Sequence, residues 1–168
     1  MKKVVPIILM IIIVISLFIL SFWKLFPIKY KDIIVKYTEY YDIQPQLVSS
    51  LINAESGYDK NSVSAAGAVG LMQILPSTAK EISIKLGQEE YDLNSPNDNI
   101  RFGCYYLRYL LDYYKGDVVY ALCAYNAGLN NVSCWNFDGD IEKIPVSQTR
   151  DYVKKILNYQ KIYQLFYY

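Results

Sequence analysis

Glu55 is the residue in this sequence best placed to do chemistry. It follows Leu51 by four residues, Val48 by seven and Leu47 by eight in the stretch "PQLVSSLINAESG". On a helix all four project from one side, which puts a carboxylate on an apolar face. Burial disfavours the charged form and raises a carboxyl pKa, at a cost of about 1.4 kcal/mol per unit. That cost has a use where a proton must be held near neutral pH for delivery to a leaving group. Periodicity leaves a second reading open, in which Glu55 reaches water at the helix end beside Gly57. The segment that follows contains Gly57, Ala65, Ala66, Gly67, Ala68 and Gly70, small residues that let backbone approach a ligand closely. Ser64 and Gln73 add uncharged hydrogen-bonding groups, and Met72 and Leu75 add apolar wall. An acid, a hydroxyl, an amide and many tyrosines suit a polyhydroxylated ligand. Sugars present C–H faces to aromatic rings and polar edges to hydrogen-bonding groups.

Composition narrows the chemistry further. Among 168 residues there is no histidine, which removes Ser-His-Asp and Cys-His sites, most zinc sites and imidazole acid/base catalysis. No cofactor or metal is expected; "DGD" at 138–140 reads as a turn, too short for a calcium loop. A net charge of +1 gives no broad field for nucleic acid. The 18 tyrosines are the main amphipathic side chains. Cys104 and Cys123 fall inside helical patterns and read as small apolar groups. A Cys123–Cys134 disulfide is an open alternative for a domain outside the cytoplasm.

The elements that must position these groups read as helices. Residues 30–41 carry Ile33, Ile34, Tyr37 and Tyr41 at helical spacing. Asp42 offers a cap and Pro45 suits a first turn, opening the helix that runs to Gly57. Thr78-x-x-Glu81 has the form of a capping box, with a stop at Gly87. Ser95-Pro96 opens a longer helix whose Ile100, Cys104, Leu107 and Leu111 share a side, ending by Gly116. Asp117 starts an almost wholly apolar helix suited to the core. The last begins near Ser147, with Val153, Ile156, Gln160 and Tyr163 on one face. Strand signals are scarce, so the fold class is all-α.

Ahead of this lies "VVPIILMIIIVISLFILSFW", twenty residues without a charge from Val4 to Trp23. A helix of that length spans the roughly 30 Å hydrocarbon core of a bilayer. The exit is aromatic rather than small, which fits an interfacial belt better than a signal-peptidase site. Residues 1–28 are therefore expected to be an uncleaved membrane anchor and 29–168 the functional domain. Lys2 and Lys3 place the N-terminus inside, although the basic residues of "WKLFPIKYK" oppose that orientation.

"ESGYDKNSVSAAGAVGLMQILP", "NIRFGCYYLRYLL", "ALCAYNAG" and "EKIPVSQTRDYVKKIL" occur in this order along the chain. Together they resemble the signature blocks of the bacterial lytic transglycosylases of the Slt type, relatives of goose-type lysozymes. The resemblance implies a lysozyme-like helical domain that cleaves the β-1,4 bond between N-acetylmuramic acid and N-acetylglucosamine in peptidoglycan. It implies a reaction without water, in which the muramic C6 hydroxyl closes a 1,6-anhydro ring. One carboxyl group then serves twice, where ordinary glycosidases need two. By the same resemblance Glu55 is the general acid and then the general base. Ser64, Gln73, Tyr125 and Asn126 match substrate-binding positions, with loop capping the alternative for Ser64 and helix-end support the alternative for Asn126. Met72, Tyr106, Arg101 and Arg150 read as structural.

Two positions depart from the family pattern. Gln148 stands where glutamate is frequent, which retains a substrate-facing hydrogen-bonding group without its charge, and Leu75 replaces a frequent methionine. The implied partners are the glycan strand and, through the N-terminal helix, the bacterial membrane, with the domain facing the wall. Two other functions compete with this one. A hydrolytic lysozyme on the same fold would need a second carboxylate; Asp59 is the nearest acid in sequence and reads as a solvated turn residue. A non-catalytic wall-binding scaffold would have no reason to keep Glu55, Ser64, Gln73 and Tyr125 together.

Overall fold

The computed structural model describes residues 4–168, with side chains from Ile7 onward; Lys2 and Lys3 lie outside the described residues. Helix α1 (Val4–Leu25) leads into α2 (Lys31–Tyr40), α3 (Pro45–Ser56), α4 (Pro76–Leu86) and α5 (Pro96–Tyr113). α6 (Val118–Ala127), the short α7 (Leu129–Ser133), a 3₁₀ turn (Ile141–Lys143) and α8 (Ser147–Phe166) follow. Among the described residues no β-strand forms; only isolated bridges, Val63 to Val69 and Val69 to Ile74, tie the loop between α3 and α4. The all-α expectation therefore holds.

α3 lies at the centre of the domain and packs most extensively against α8. Its residues Leu47 to Ile52 are all buried, including Ser49 and Ser50. Those hydroxyls are satisfied: Ser50 donates to the Leu47 carbonyl and Ser49 pairs with the Tyr168 hydroxyl. α5 buries the stripe Ile100, Cys104, Leu107 and Leu111, and α6 buries Ala121 to Ala124. Each such aliphatic side chain contributes about 1.5–3 kcal/mol by leaving water. Val153, Ile156 and Tyr163 of α8 are buried as their spacing predicts, while Gln160 is half-buried and bonds to Gln44. Cys104, Cys123 and Cys134 are all free, and burial pushes the Cys123 thiol up to about 12.

Two helix starts differ from the sequence expectation. Asp42 is not the cap of α3; it sits in a left-handed turn conformation, and Gln44 precedes Pro45 as the cap residue. The Thr78–Glu81 capping box does not form, because α4 begins two residues earlier at Pro76. Proline in the first turn already has the helical φ and lacks the N–H that a cap would satisfy. The stops behave as expected. Gly57 and Gly87 end α3 and α4 in left-handed conformations that cost glycine little.

Among the described residues α1 is the one helix long and apolar enough to cross a membrane, over Ile7–Leu25. Its connection to the domain is stapled rather than loose. The Leu25, Phe26 and Pro27 carbonyls accept hydrogen bonds from Asn53, Tyr167 and Tyr163 respectively.

Candidate active site

The last turn of α3 delivers Glu55 to the surface where α8 crosses it. The residue is half-buried, and its Oε1 accepts a hydrogen bond from the Tyr152 hydroxyl at 2.5 Å. Burial raises the Glu55 pKa above the ordinary carboxylate value. The Tyr152 hydrogen bond and the nearby Lys155 ammonium oppose that rise without cancelling it. Glu55 lies between its two readings, half-buried at the helix end with its pKa raised by burial. Tyr125, from α6, lies close enough for the Glu55 charge to act on it, and its hydroxyl donates to the Met72 carbonyl at 2.8 Å. Burial first, and the Glu55 charge second, hold both phenols far above their ordinary pKa. They remain O–H donors throughout the neutral range.

A groove runs beside this cluster. One part, of about 230 Å³, is lined by Gln73, Leu75, Thr78, Tyr106, Tyr125 and Asn126 among others. The other, of about 410 Å³, is lined by Asn126, Trp135, Val146, Gln148 and Thr149 among others. The two share Asn126 and Ala127 and so form one depression. Glu55 itself lines neither part; Tyr125, which lines the first part, is near enough to feel the Glu55 charge. Tyr106, read as a brace, also lines the groove, its ring 5.3 Å from that of Tyr125.

The loop from 57 to 75 forms the groove's other flank, and its shape is set by internal hydrogen bonds. Gln73 has a left-handed φ of 48°, and its amide nitrogen donates to the Ser62 and Gly70 carbonyls. Ser64 is exposed and lines neither part of the groove; its Oγ accepts the Ala68 N–H at 3.0 Å, which closes a turn. The Asn99 side chain, fully buried, clamps the loop from α5. It donates to the Val69 and Leu93 carbonyls and accepts the Met72 N–H at 2.7 Å. Gly70 is small because of this clamp rather than because of a ligand, since a Cβ there would meet Asn99 Nδ2 at 2.2 Å. Gly103 likewise makes room for Met72, whose Sδ would lie 2.2 Å from an added Cβ.

Of the residues singled out from sequence, Gln73, Tyr125 and Asn126 share the first part of the groove, and Gln148 lies exposed in the second. The Asn126 side-chain Oδ1 accepts from the Thr149 hydroxyl at 2.8 Å, so Asn126 also ties α6 to α8. Asp59 is exposed and caps a turn by accepting the Asn61 N–H. Arg101 and Arg150 are braces, bonded to Gln88 and to the Ile144 carbonyl. Sequence reasoning missed Tyr152 and Trp135. Tyr152 lies one residue before Val153 of the α8 face, half-buried, and nothing in the sequence marks it among so many tyrosines.

A model of the transglycosylase SLT domain matches residues 32–143. The chain is 37% identical over 153 residues to the soluble lytic murein transglycosylase of Salmonella typhimurium, covering 84% of this chain and 24% of that protein. It is 30% identical over 159 residues to membrane-bound lytic murein transglycosylase C of Actinobacillus pleuropneumoniae, covering 76% of this chain and 44% of that one. Among solved structures, an inactive glutamate-to-glutamine mutant of the lytic transglycosylase Slt from Pseudomonas aeruginosa superposes with a TM-score of 0.78. The identity there is 33%, over 83% of this chain and 24% of that one. The chain thus spans about a quarter of the length of the soluble relatives it matches.

Proposed function

Because the chain belongs to the transglycosylase SLT domain family, we propose that it cleaves the β-1,4 bond between N-acetylmuramic acid and N-acetylglucosamine in peptidoglycan. The product on the muramic side is a 1,6-anhydro sugar. One observation carries this reading: a single half-buried carboxyl, Glu55, is held at raised pKa beside a groove lined with aromatic and amide side chains.

The protonated Glu55 gives its proton to the glycosidic oxygen as the bond to the anomeric carbon breaks. The resulting carboxylate then takes the proton of the muramic C6 hydroxyl while that oxygen bonds to the anomeric carbon. Glu55 ends protonated and no water is consumed. Tyr152 suits both halves of this cycle. Its O–H stabilises the carboxylate formed in the first step, and it fixes the carboxyl in one orientation. Tyr125, Gln73 and Asn126 bind the strand along the groove, and Gln148 and Trp135 extend the contact beyond Asn126, while Ser64 shapes the loop through its own turn. Asp59, exposed and engaged in its own turn, is poorly placed to activate water, which favours the anhydro product over hydrolysis.

α1 acts as a single-pass anchor in the bacterial cell membrane, with the domain on the wall side. The name of the Actinobacillus relative, membrane-bound, supports this, as does the apolar span Ile7–Leu25. Mass analysis of the fragments released from purified wall by the full chain in detergent tests the reaction. Anhydro ends, one water lighter than reducing ends, are expected; reducing ends would make the enzyme a hydrolase. Glu55→Gln retains an oxygen for Tyr152 and is expected to lower release by at least about a hundredfold. Undiminished release by that variant would remove Glu55 from the reaction.

A further inference from the structure

The end of α8 and the end of α1 lie side by side. Phe166 packs with its ring tilted 59° against Phe22 at 4.7 Å, and Tyr167 meets Trp23 edge-on at 5.7 Å, centroid to centroid. Phe22 and Trp23 belong to the apolar span Ile7–Leu25. The uncharged run Val4–Trp23, twenty residues at about 1.5 Å each, just covers a hydrocarbon core of roughly 30 Å. The span therefore has little freedom to slide, and its last turn must sit at the boundary between acyl chains and headgroups. Whatever touches Phe22 and Trp23 sits there too. Leu165 and Phe166 are 76% and 55% exposed, and their apolar surface continues that of α1.

Charge on the same side agrees. Residues 24–31 include Lys24, Lys29 and Lys31 and no acidic residue. Lys31 is fixed in place, donating to the Tyr167 carbonyl at 2.7 Å with its ammonium 5.0 Å from the Tyr168 ring centroid. Aromatic side chains at headgroup depth, with lysines just outside them, fit an anionic phospholipid surface.

We propose that the C-terminal turn of α8, centred on Leu165 and Phe166, is a second membrane-contact surface. It inserts into the outer interface of an anionic bilayer beside α1, so that the domain is clamped to the membrane at two points. The proposal rests on α1 being a membrane anchor. It does not depend on the reaction at Glu55.

The full chain, reconstituted in vesicles of phosphatidylethanolamine and phosphatidylglycerol, tests it. In a background with Trp23 and Trp135 changed to Phe, single tryptophans are introduced by F18W, F166W and I84W. Phe18 lies within the span and Ile84 is exposed on α4. Lipids brominated near the headgroup end of their acyl chains are expected to reduce F166W fluorescence by about twofold and leave I84W unchanged. F166W behaving like I84W while F18W is quenched would overturn the clamp and leave the anchor standing. An unquenched F18W would overturn the anchor, and the clamp with it. An F166W that is blue-shifted yet shielded from lipid, in a chain that runs as a dimer, would assign this face to a second copy and also overturn the proposal. The unaltered chain provides a check free of substitutions. A photoactivatable phospholipid should label Leu165 and Phe166 as well as α1, and labelling confined to α1 would refute the second contact.

Discussion

Glu55 is subject to opposing influences that single substitutions can separate. Burial raises its pKa, while the Tyr152 hydroxyl and Lys155 lower it. The proposed role of general acid requires Glu55 to be protonated in the free enzyme, so kcat/KM should fall as pH rises through its pKa. Tyr152→Phe removes a hydrogen bond that favours the ionised form. The basic limb of that profile should therefore move to higher pH, together with a lower maximum; a limb that stays in place or moves down would contradict the assigned influence of Tyr152. The same raised pKa has a thermodynamic consequence. A carboxyl whose folded pKa exceeds its unfolded value favours the fold only while protonated, and that benefit is lost as pH rises through the folded pKa. Glu55→Gln should accordingly raise the melting temperature at pH 7, and the gain should vanish below the ordinary carboxylate range, as calorimetry can check. The position of Glu55 was legible in the sequence, because a carboxylate on an apolar stripe is a local pattern. Tyr152 was not, because its partner lies 97 positions away and no local pattern reports such a contact.

At the scale of elements, the loop between α3 and α4 owes its shape to α5. Asn99 bonds to its backbone at Val69 and Met72, and Gly103 leaves the room that Met72 fills. Met72 in turn presents the carbonyl that holds the Tyr125 hydroxyl. Gly103→Ala puts a methyl group into the space of a fully buried side chain. A loss of about 1–3 kcal/mol in urea unfolding is expected, as for other overpacked cores. Activity should drop more than the Glu55 pH profile shifts, since the displacement reaches Tyr125 before it reaches Glu55. An unchanged unfolding midpoint would show that Met72 can move aside without cost. Helix stops at glycine were readable because left-handed backbone strongly selects glycine. The start of α4 was not read correctly, because Thr78-x-x-Glu81 and Pro76 offer competing signals and proline has the stronger steric hold. The small residues of the loop were read as room for ligand. At Gly70 that room is taken by Asn99, a tertiary contact that composition does not reveal.

For the molecule as a whole, the junction between α1 and the domain is a set of hydrogen bonds and ring contacts. The Tyr163 and Tyr167 hydroxyls hold the Pro27 and Phe26 carbonyls, and Phe26 packs edge-on against Tyr159 at 5.1 Å. The double substitution Tyr163→Phe and Tyr167→Phe removes both bonds while keeping the rings. Backbone amides of residues 28–31 should then exchange with solvent about thirtyfold faster, from about 1 kcal/mol for each of the two bonds. Equal exchange in the two proteins would mean that ring packing alone secures the junction. The apolar span was plain in the sequence, since hydropathy is additive along a chain. Its docking was not, since residues 26–27 and 163–167 meet only through folding.

The placement of Tyr152 on α8 also sets a timetable. α8 supplies the partner of Glu55, covers α3 and grips the residues that leave α1, and it follows α1 to α7 in chain order. A chain still being synthesised therefore carries its acid unpartnered and its central helix uncovered until residues 147–163 have been made.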